Sequence, residues 1–495
     1  MGISPGSPSS RREHPRWKKS AFWAGALLVV CLGLWISLSV AAVLTLPQDE
    51  ASGYDPRPLL LCLSLTGLNA LSYLVWPSRW NIPAHAQLAF SVVAYIVPIF
   101  FLDGLSTWSP QVVDLYFGVM ISGFACAAIG TVIGGWVASL RGAVAFGQRL
   151  VPSATFLQVT IPNRVRSVII VAVVALIACF LFMGFAPALA ADPFMAKFFR
   201  GEYAEPYRPV APIYRAATTA LTLFIPLAAL QAWRRRNLGG MLILAAALTV
   251  MILSLQREPA VSGVLLLLGA ALAVHGSGMV WYFVALLGVY FVGSGMYFVL
   301  ASLGFEAFAQ GASVSRTWLQ EVAAGSPDIA DQLLFLSQWS SRPSYTNGLT
   351  FVGGLIPGNF RWNPSVWTLA VVNPGVDVSS IVSGGLRLPA PIWGLVSFGW
   401  PGVFAVSALH GFFVGLLAGF ARNLIPKQGV AGAIILLVVY SAFLDVLPVF
   451  FRLSYLSVLQ LVIVLLVVYF RPARGQFSPN RELGLTVGAT PKLYS

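Results

Sequence analysis

Apolar runs near twenty residues, each about the length that crosses a hydrocarbon core, recur along this whole chain. Two or three soluble domains could not bury them all. The charge content agrees: 9% of the 495 residues are charged and 58% are hydrophobic, against about 25% charged in an ordinary soluble protein. The reading is an all-α integral membrane protein, a polytopic bundle of transmembrane helices.

Counting windows of that length gives twelve expected spans, near 21–46, 58–76, 85–102, 111–139, 167–190, 212–233, 239–255, 259–275, 278–303, 401–421, 430–449 and 455–470. Gln256-Arg257-Glu258-Pro259 separates the seventh from the eighth, a tight hairpin with its turn at the membrane edge. The first run is too long for a signal-peptide core and lacks a convincing cleavage site, so it is read as a retained span. Cys31, Cys62, Cys126 and Cys179 all fall inside such runs, which suggests neither a disulfide framework nor a cysteine metal site.

Lysine and arginine set the expected orientation. With the amino terminus cytoplasmic, 19 of the 30 basic residues fall on that side, and only Glu13 and Glu482 of the 17 acids do. The net charge of +13 is then a topology signal and requires no nucleic acid as partner. Both termini (1–20 and 471–495) are expected in the cytoplasm as polar tails, and 304–390, between spans nine and ten, outside.

That stretch is too polar and turn-rich to cross a bilayer, so it is where surface chemistry is expected. Ser326-Pro327-Asp328 reads as a helix start, with Ile329, Leu333 and Leu336 on one face of a short helix near 327–339. Proline and glycine then punctuate the chain so often that turns and extended pieces are expected. Trp318, Trp339, Tyr345, Phe360, Trp362 and Trp367 alternate with polar groups. They suit either a sugar-binding surface or an interfacial aromatic belt.

On the outward side stand Arg200, Arg208, Arg215, Arg257, Arg316, Arg342, Arg361, Arg387 and Arg452, with one lysine, Lys197. Guanidinium forks match phosphate oxygens two at a time and stay charged when partly desolvated. Snorkelling or loop ion pairs are the alternative for each. Arg257 and Arg452 occupy very short connections between apolar helices, where a charge is costly without a partner or a job. Glu258 and Asp445 are their nearest partners by sequence.

Four features of residues 240–470 together resemble the O-antigen and oligosaccharide repeat-unit polymerases (Wzy-type) of bacterial envelopes. They are Arg257 after a short outer turn, the 345–364 segment with Ile-Pro-Gly-Asn-Phe-Arg-Trp-Asn-Pro, the 391–403 segment with Phe-Gly-Trp-Pro-Gly before a helix, and Phe451-Arg452 before the last span. The chain departs from the family at 393–394, where Trp-Gly stands in place of a frequent acid. The resemblance implies a GT-C-like fold shared with O-antigen ligases. It also implies joining of undecaprenyl-pyrophosphate-linked oligosaccharides on the periplasmic face of the inner membrane, with no metal or other cofactor. A chain-length regulator and export machinery are the implied partners.

In that frame Arg257 and Arg452 are the leading pyrophosphate ligands. Arg316, Arg342, Arg361, Arg387, Tyr345 and Trp362 close over pyrophosphate and sugar, and Glu258 and Asp377 are the candidate bases. Ligases of similar hydropathy carry a catalytic His-Asn pair in the large external loop. Here the histidines are His14, His85, His275 and His410, none within 304–390, which favours polymerase over ligase. A metal-dependent transferase using Asp49, Glu50 and Asp55, and a lipid-linked oligosaccharide flippase, are the remaining alternatives. Gly411, Gly415 and Gly419 form a small-residue stripe suited to close helix packing in any bundle.

Overall fold

The computed structural model describes residues 57–101, 108–149, 161–235, 238–255, 257–276, 278–302, 328–357, 360–378, 381, 385–428 and 430–470. Among them the chain is helical, with no strand. The expected first span, both tails, Arg316, Trp318 and the acids of the first outer loop lie outside the described residues.

In chain order the bundle starts with α1 (Arg57–Ala70), α2 (Ile82–Ser91), a π-helical turn at Val92–Ile96, and α3 (Val97–Phe101). It goes on through α4 (Pro110–Ser139), α5 (Arg141–Arg149), α6 (Ile161–Met183), α7 (Pro193–Phe198), α8 (Ala204–Tyr207) and α9 (Ala211–Arg235). Next come α10 (Leu238–Leu253), α11 (Arg257–His275) and α12 (Met279–Ser302). The large loop contributes α13 (Asp328–Ser341), α14 (Leu349–Gly353) and α15 (Pro364–Val372), and α16 (Ala390–Leu424), α17 (Val430–Leu444) and α18 (Tyr455–Tyr469) close the bundle.

Five helical segments are long and apolar enough to cross a membrane: Ile82–Ile99, Pro110–Ser139, Ile161–Met183, Ala211–Ala232 and Ala390–Lys427. Five further apolar helices of 10–17 residues accompany them, among them Val430–Leu444 and Tyr455–Tyr469. The protein is therefore a multi-pass helical membrane protein; the expected twelve crossings are not confirmed among the described residues. Windows merge a half-length helix with the apolar turn beside it, as at 430–449.

Side-chain contacts separate two faces. On one, Arg422 donates to the Val75 carbonyl at 3.1 Å, Arg164 to the Val467 carbonyl at 3.2 Å, and Gln231 to the Pro162 carbonyl at 2.9 Å. On the other lie the described residues of 328–390, the 184–210 segment and the 445–454 turn. Arg215 of α9 there donates to Tyr207 at 2.7 Å and lies over the Tyr455 ring.

The glycine stripe binds α16 to α4. A Cβ on Gly411 or Gly415 would collide with the carbonyls of Ala127 or Thr131, and one on Gly130 or Gly134 with those of Ala408 or Phe412. The two backbones therefore touch directly, which only glycine allows. The first two turns of α16 are folded back on the rest. Phe398 (φ −142°, ψ 17°) and Gly399 (φ 66°, ψ −152°) break the helix, and Gly394 then packs backbone to backbone on Gly402. The break makes 390–397 a short separate helix that rises beside the long one. The expected span begins at 401, after this short helix.

Helix α13 forms as its sequence predicts, with Ile329, Leu333 and Leu336 buried. Its core continues through Phe335, Trp367 and Trp393, whose rings meet at 5.6 and 5.8 Å. Two of the six loop aromatics are thus packing residues: Trp367 is buried in this stack, and Trp339 is buried with its indole N–H donating to the Ser344 carbonyl at 3.0 Å.

Candidate functional site

A cavity of about 270 Å³ opens between α1, α2, the π-turn, α16, α17 and the 445–454 turn. Its lining includes the charged residues Asp328, Arg387, Asp445 and Arg452 and the polar residues Asn69, Ser72, Gln87, Tyr95, His410 and Tyr440. Leu68, Ala84, Val414 and Leu444 supply its apolar wall.

Each charged group has a structural reason for its position. Asp328 opens α13, where a carboxylate meets the positive end of the helix dipole. Gln332, one turn later, donates to the Arg387 carbonyl at 3.1 Å and accepts from Tyr116 of α4 at 2.7 Å. This buried bridge fixes the 385–389 strip against the bundle. Arg387 then reaches back toward Asp328 at 3.9 Å, with the carboxylate buried and the guanidinium largely exposed. That separation exceeds a hydrogen bond, so the guanidinium keeps most of its donors for something else. Arg452 ends the short 3₁₀ turn Phe450–Arg452, and its exposed side chain lines the cavity. Asp445 accepts from Gln460 at 3.1 Å.

His410 sits on α16 facing that turn, and its Nδ1 lies 2.8 Å from the Pro448 carbonyl. A carbonyl only accepts, so Nδ1 carries the proton and the neutral ring keeps Nε2 as an acceptor. By sequence this histidine falls inside the expected span 401–421, outside the large loop. In the fold it both hydrogen-bonds and lines the cavity. Tyr95 reaches the same space from a π-helical turn, a local underwinding of the helix common at functional sites.

Of the residues singled out by sequence, Arg387 and Arg452 are brought together. Arg342, Arg361 and Asp377 are exposed on the loop and stand outside the cavity. Arg361 stacks on Trp362, 4.7 Å from the ring centre. Tyr345 is exposed, with its ring 5.6 Å from that of Trp339. Arg257 and Glu258 open α11, and their side chains lie outside the described residues, as does all of Arg316. Missed by sequence were Asn69, Gln87, Tyr95 and His410. Their one signal was polarity inside apolar spans, a mark of function in membrane helices.

Asp331, one turn into α13, has its carboxyl pushed up to about 6 by burial and by the charge of Asp328, with Arg387 partly offsetting both. No group of three or more histidine, cysteine or acidic residues suited to a metal ion occurs among the described residues. No protein-family model, curated protein or solved structure matches this chain.

Proposed function

We propose that this chain is a polysaccharide polymerase, a metal-independent glycosyltransferase that joins undecaprenyl-pyrophosphate-linked oligosaccharide repeat units on the periplasmic face of the bacterial inner membrane. The product would be O-antigen, capsule or exopolysaccharide. The observation that supports this reading most is the convergence of Arg387 and Arg452 on one cavity, from positions 65 residues apart. The cavity lining sets two cations against two carboxylates. A pyrophosphate would compete with Asp328 and Asp445 for the guanidinium groups, and its oxygens suit their fork.

In the proposed reaction the acceptor hydroxyl attacks the anomeric carbon of the donor. A carbon–oxygen bond forms there as the bond to pyrophosphate breaks, and the arginines stabilise the charge gathering on the leaving group. The hydroxyl proton needs an acceptor. Within the cavity His410 Nε2 and the carboxylates of Asp328 and Asp445 are the available ones, whereas Asp377 is outside it.

His410 also gives an O-antigen ligase-like transfer its specific support, since the argument against that reading was the lack of a histidine in the loop. The two readings separate on product. Purified protein in liposomes, supplied only with lipid-linked repeat units, should yield chains of many repeats if it is a polymerase. If it is a ligase, product should form only when a separate acceptor is added. Arg452→Ala and Arg387→Ala should each lower polymer formation by about 10²-fold or more, with the Lys variants intermediate. Unchanged long chains in all four variants would remove the pyrophosphate role.

A further inference from the structure

Helices α17 and α18 have 15 residues each. At 1.5 Å per residue each is about 22 Å long, against about 30 Å of hydrocarbon. The lower end of α17 follows directly on the Ile425–Lys427 turn and Arg422, which belong to the face away from the loop. The missing length therefore falls on the loop side, above the 445–454 turn.

Helix α14 sits on that turn. Phe351 accepts from the Leu453 N–H at 3.0 Å and Gly354 from the Tyr455 N–H at 2.9 Å, while the Phe351 and Phe450 rings meet at 5.8 Å. The residues that face inward are small: Thr350, Gly353 and Gly354 are buried, and a Cβ on either glycine would strike the backbone of Trp362 or Leu453. The large residues face out. Leu349, Val352, Leu355, Ile356 and Phe360 are between 36% and 54% exposed. A water-facing surface element has the reverse pattern, and a contiguous bulky apolar patch of this kind marks a binding surface.

The patch does not end at α14. The Phe351 ring contacts Phe398 at 5.9 Å, and Phe398, Trp400 and Phe404 are exposed on α16, a full-length candidate span. At its other edge the Arg361 guanidinium lies on the Trp362 ring, a pairing that suits the headgroup level, where arginine and tryptophan both concentrate.

We propose that residues 349–357 and Phe360 are embedded in the loop-side leaflet. They fill the volume above two half-length helices and present Leu349, Val352, Leu355, Ile356 and Phe360 to lipid acyl chains. The surface is thus continuous with the lipid-facing side of α16. This assignment stands on helix length and exposure and is independent of the polymerase reading.

The test places spin labels singly at Val352→Cys and Leu355→Cys, with Arg342→Cys as a reference. The full-length chain carries Cys31, Cys62, Cys126 and Cys179 replaced by serine, in phosphatidylethanolamine/phosphatidylglycerol vesicles. Collisions with oxygen should exceed those with a water-soluble nickel chelate at 352 and 355, and the order should reverse at 342. Nickel-dominated collisions at 352 and 355 would overturn the proposal. So would protection from both, which would mean cover by another segment of this chain or by a second copy. A measurement without any variant uses the native protein in vesicles containing lipid with a photoactivatable acyl chain. Adducts on peptides spanning 349–360 are expected, and their absence, with adducts present on α6 and α16, would refute the embedding.

Discussion

Gly399 shows how much one residue decides here. Its φ of 66° and ψ of −152° belong to a region that only glycine occupies comfortably. The nearest atoms to an added Cβ would be 3.9 Å away, so a side chain would fit the space and only the backbone would object. Gly399→Ala should therefore cost about 1–3 kcal/mol, read as a lower thermal midpoint in detergent. Asp331 acts through its charge. Its carboxyl is raised from 3.8 to about 6, so the protonated form favours the fold. That contribution is complete below about pH 3.8 and is lost as pH rises through about 6. Asp331→Asn should make the protein more heat-stable than wild type at pH 7.5, and the difference between the two should shrink to nothing by pH 4. A constant offset at both pH values would show that the carboxyl is not the cause. Neither residue advertised its role: Gly399 is one of 46 glycines, and the environment of Asp331 arises when Asp328 and Arg387 are folded against it.

At the scale of elements the sequence was informative wherever a pattern is local. The start of α13 could be read from Ser326-Pro327-Asp328 and its buried face from Ile329, Leu333 and Leu336, because helical periodicity places those residues together whatever the chain does elsewhere. The stripe at Gly411, Gly415 and Gly419 announced close packing, although only the fold shows that α4 is the partner. Gly411→Val should separate α4 from α16 and destabilise by about 1–3 kcal/mol as overpacking does, measured as loss of folded monomer after heating in detergent. Stability equal to wild type would mean the contact is not under the compression its geometry implies. The half length of α17 was not legible, since the 445–454 turn is itself apolar enough to extend a hydropathy window across the break, whereas the window at 455–470 matched α18.

Across the whole molecule, the two faces give a labelling prediction. Cysteines placed at Ser340 and at Gln428, in the serine-substituted background, should react with an impermeant maleimide from opposite sides of sealed vesicles. Labelling of both from one side would contradict the two-faced arrangement. The proposed periplasmic reaction requires the loop side to be outside, which is the orientation the charge asymmetry of the sequence leads one to expect. The cavity is also a property of this scale. Asn69, Tyr95, His410, Arg387 and Arg452 come from five separate segments, and no spacing within the chain relates them.

The sequence by itself determined that the chain is a helical membrane protein, where its polar interruption falls, and how its arginines are distributed. These follow from composition and from period, which act between residues near one another in the chain. Which arginines meet, which histidine joins them, and which loop residues turn their apolar side chains outward were decided only by tertiary structure. A cavity is bounded by helices that meet through packing, here through backbone contact between glycines of α4 and α16, and such contacts leave no mark on the spacing of the residues they bring together.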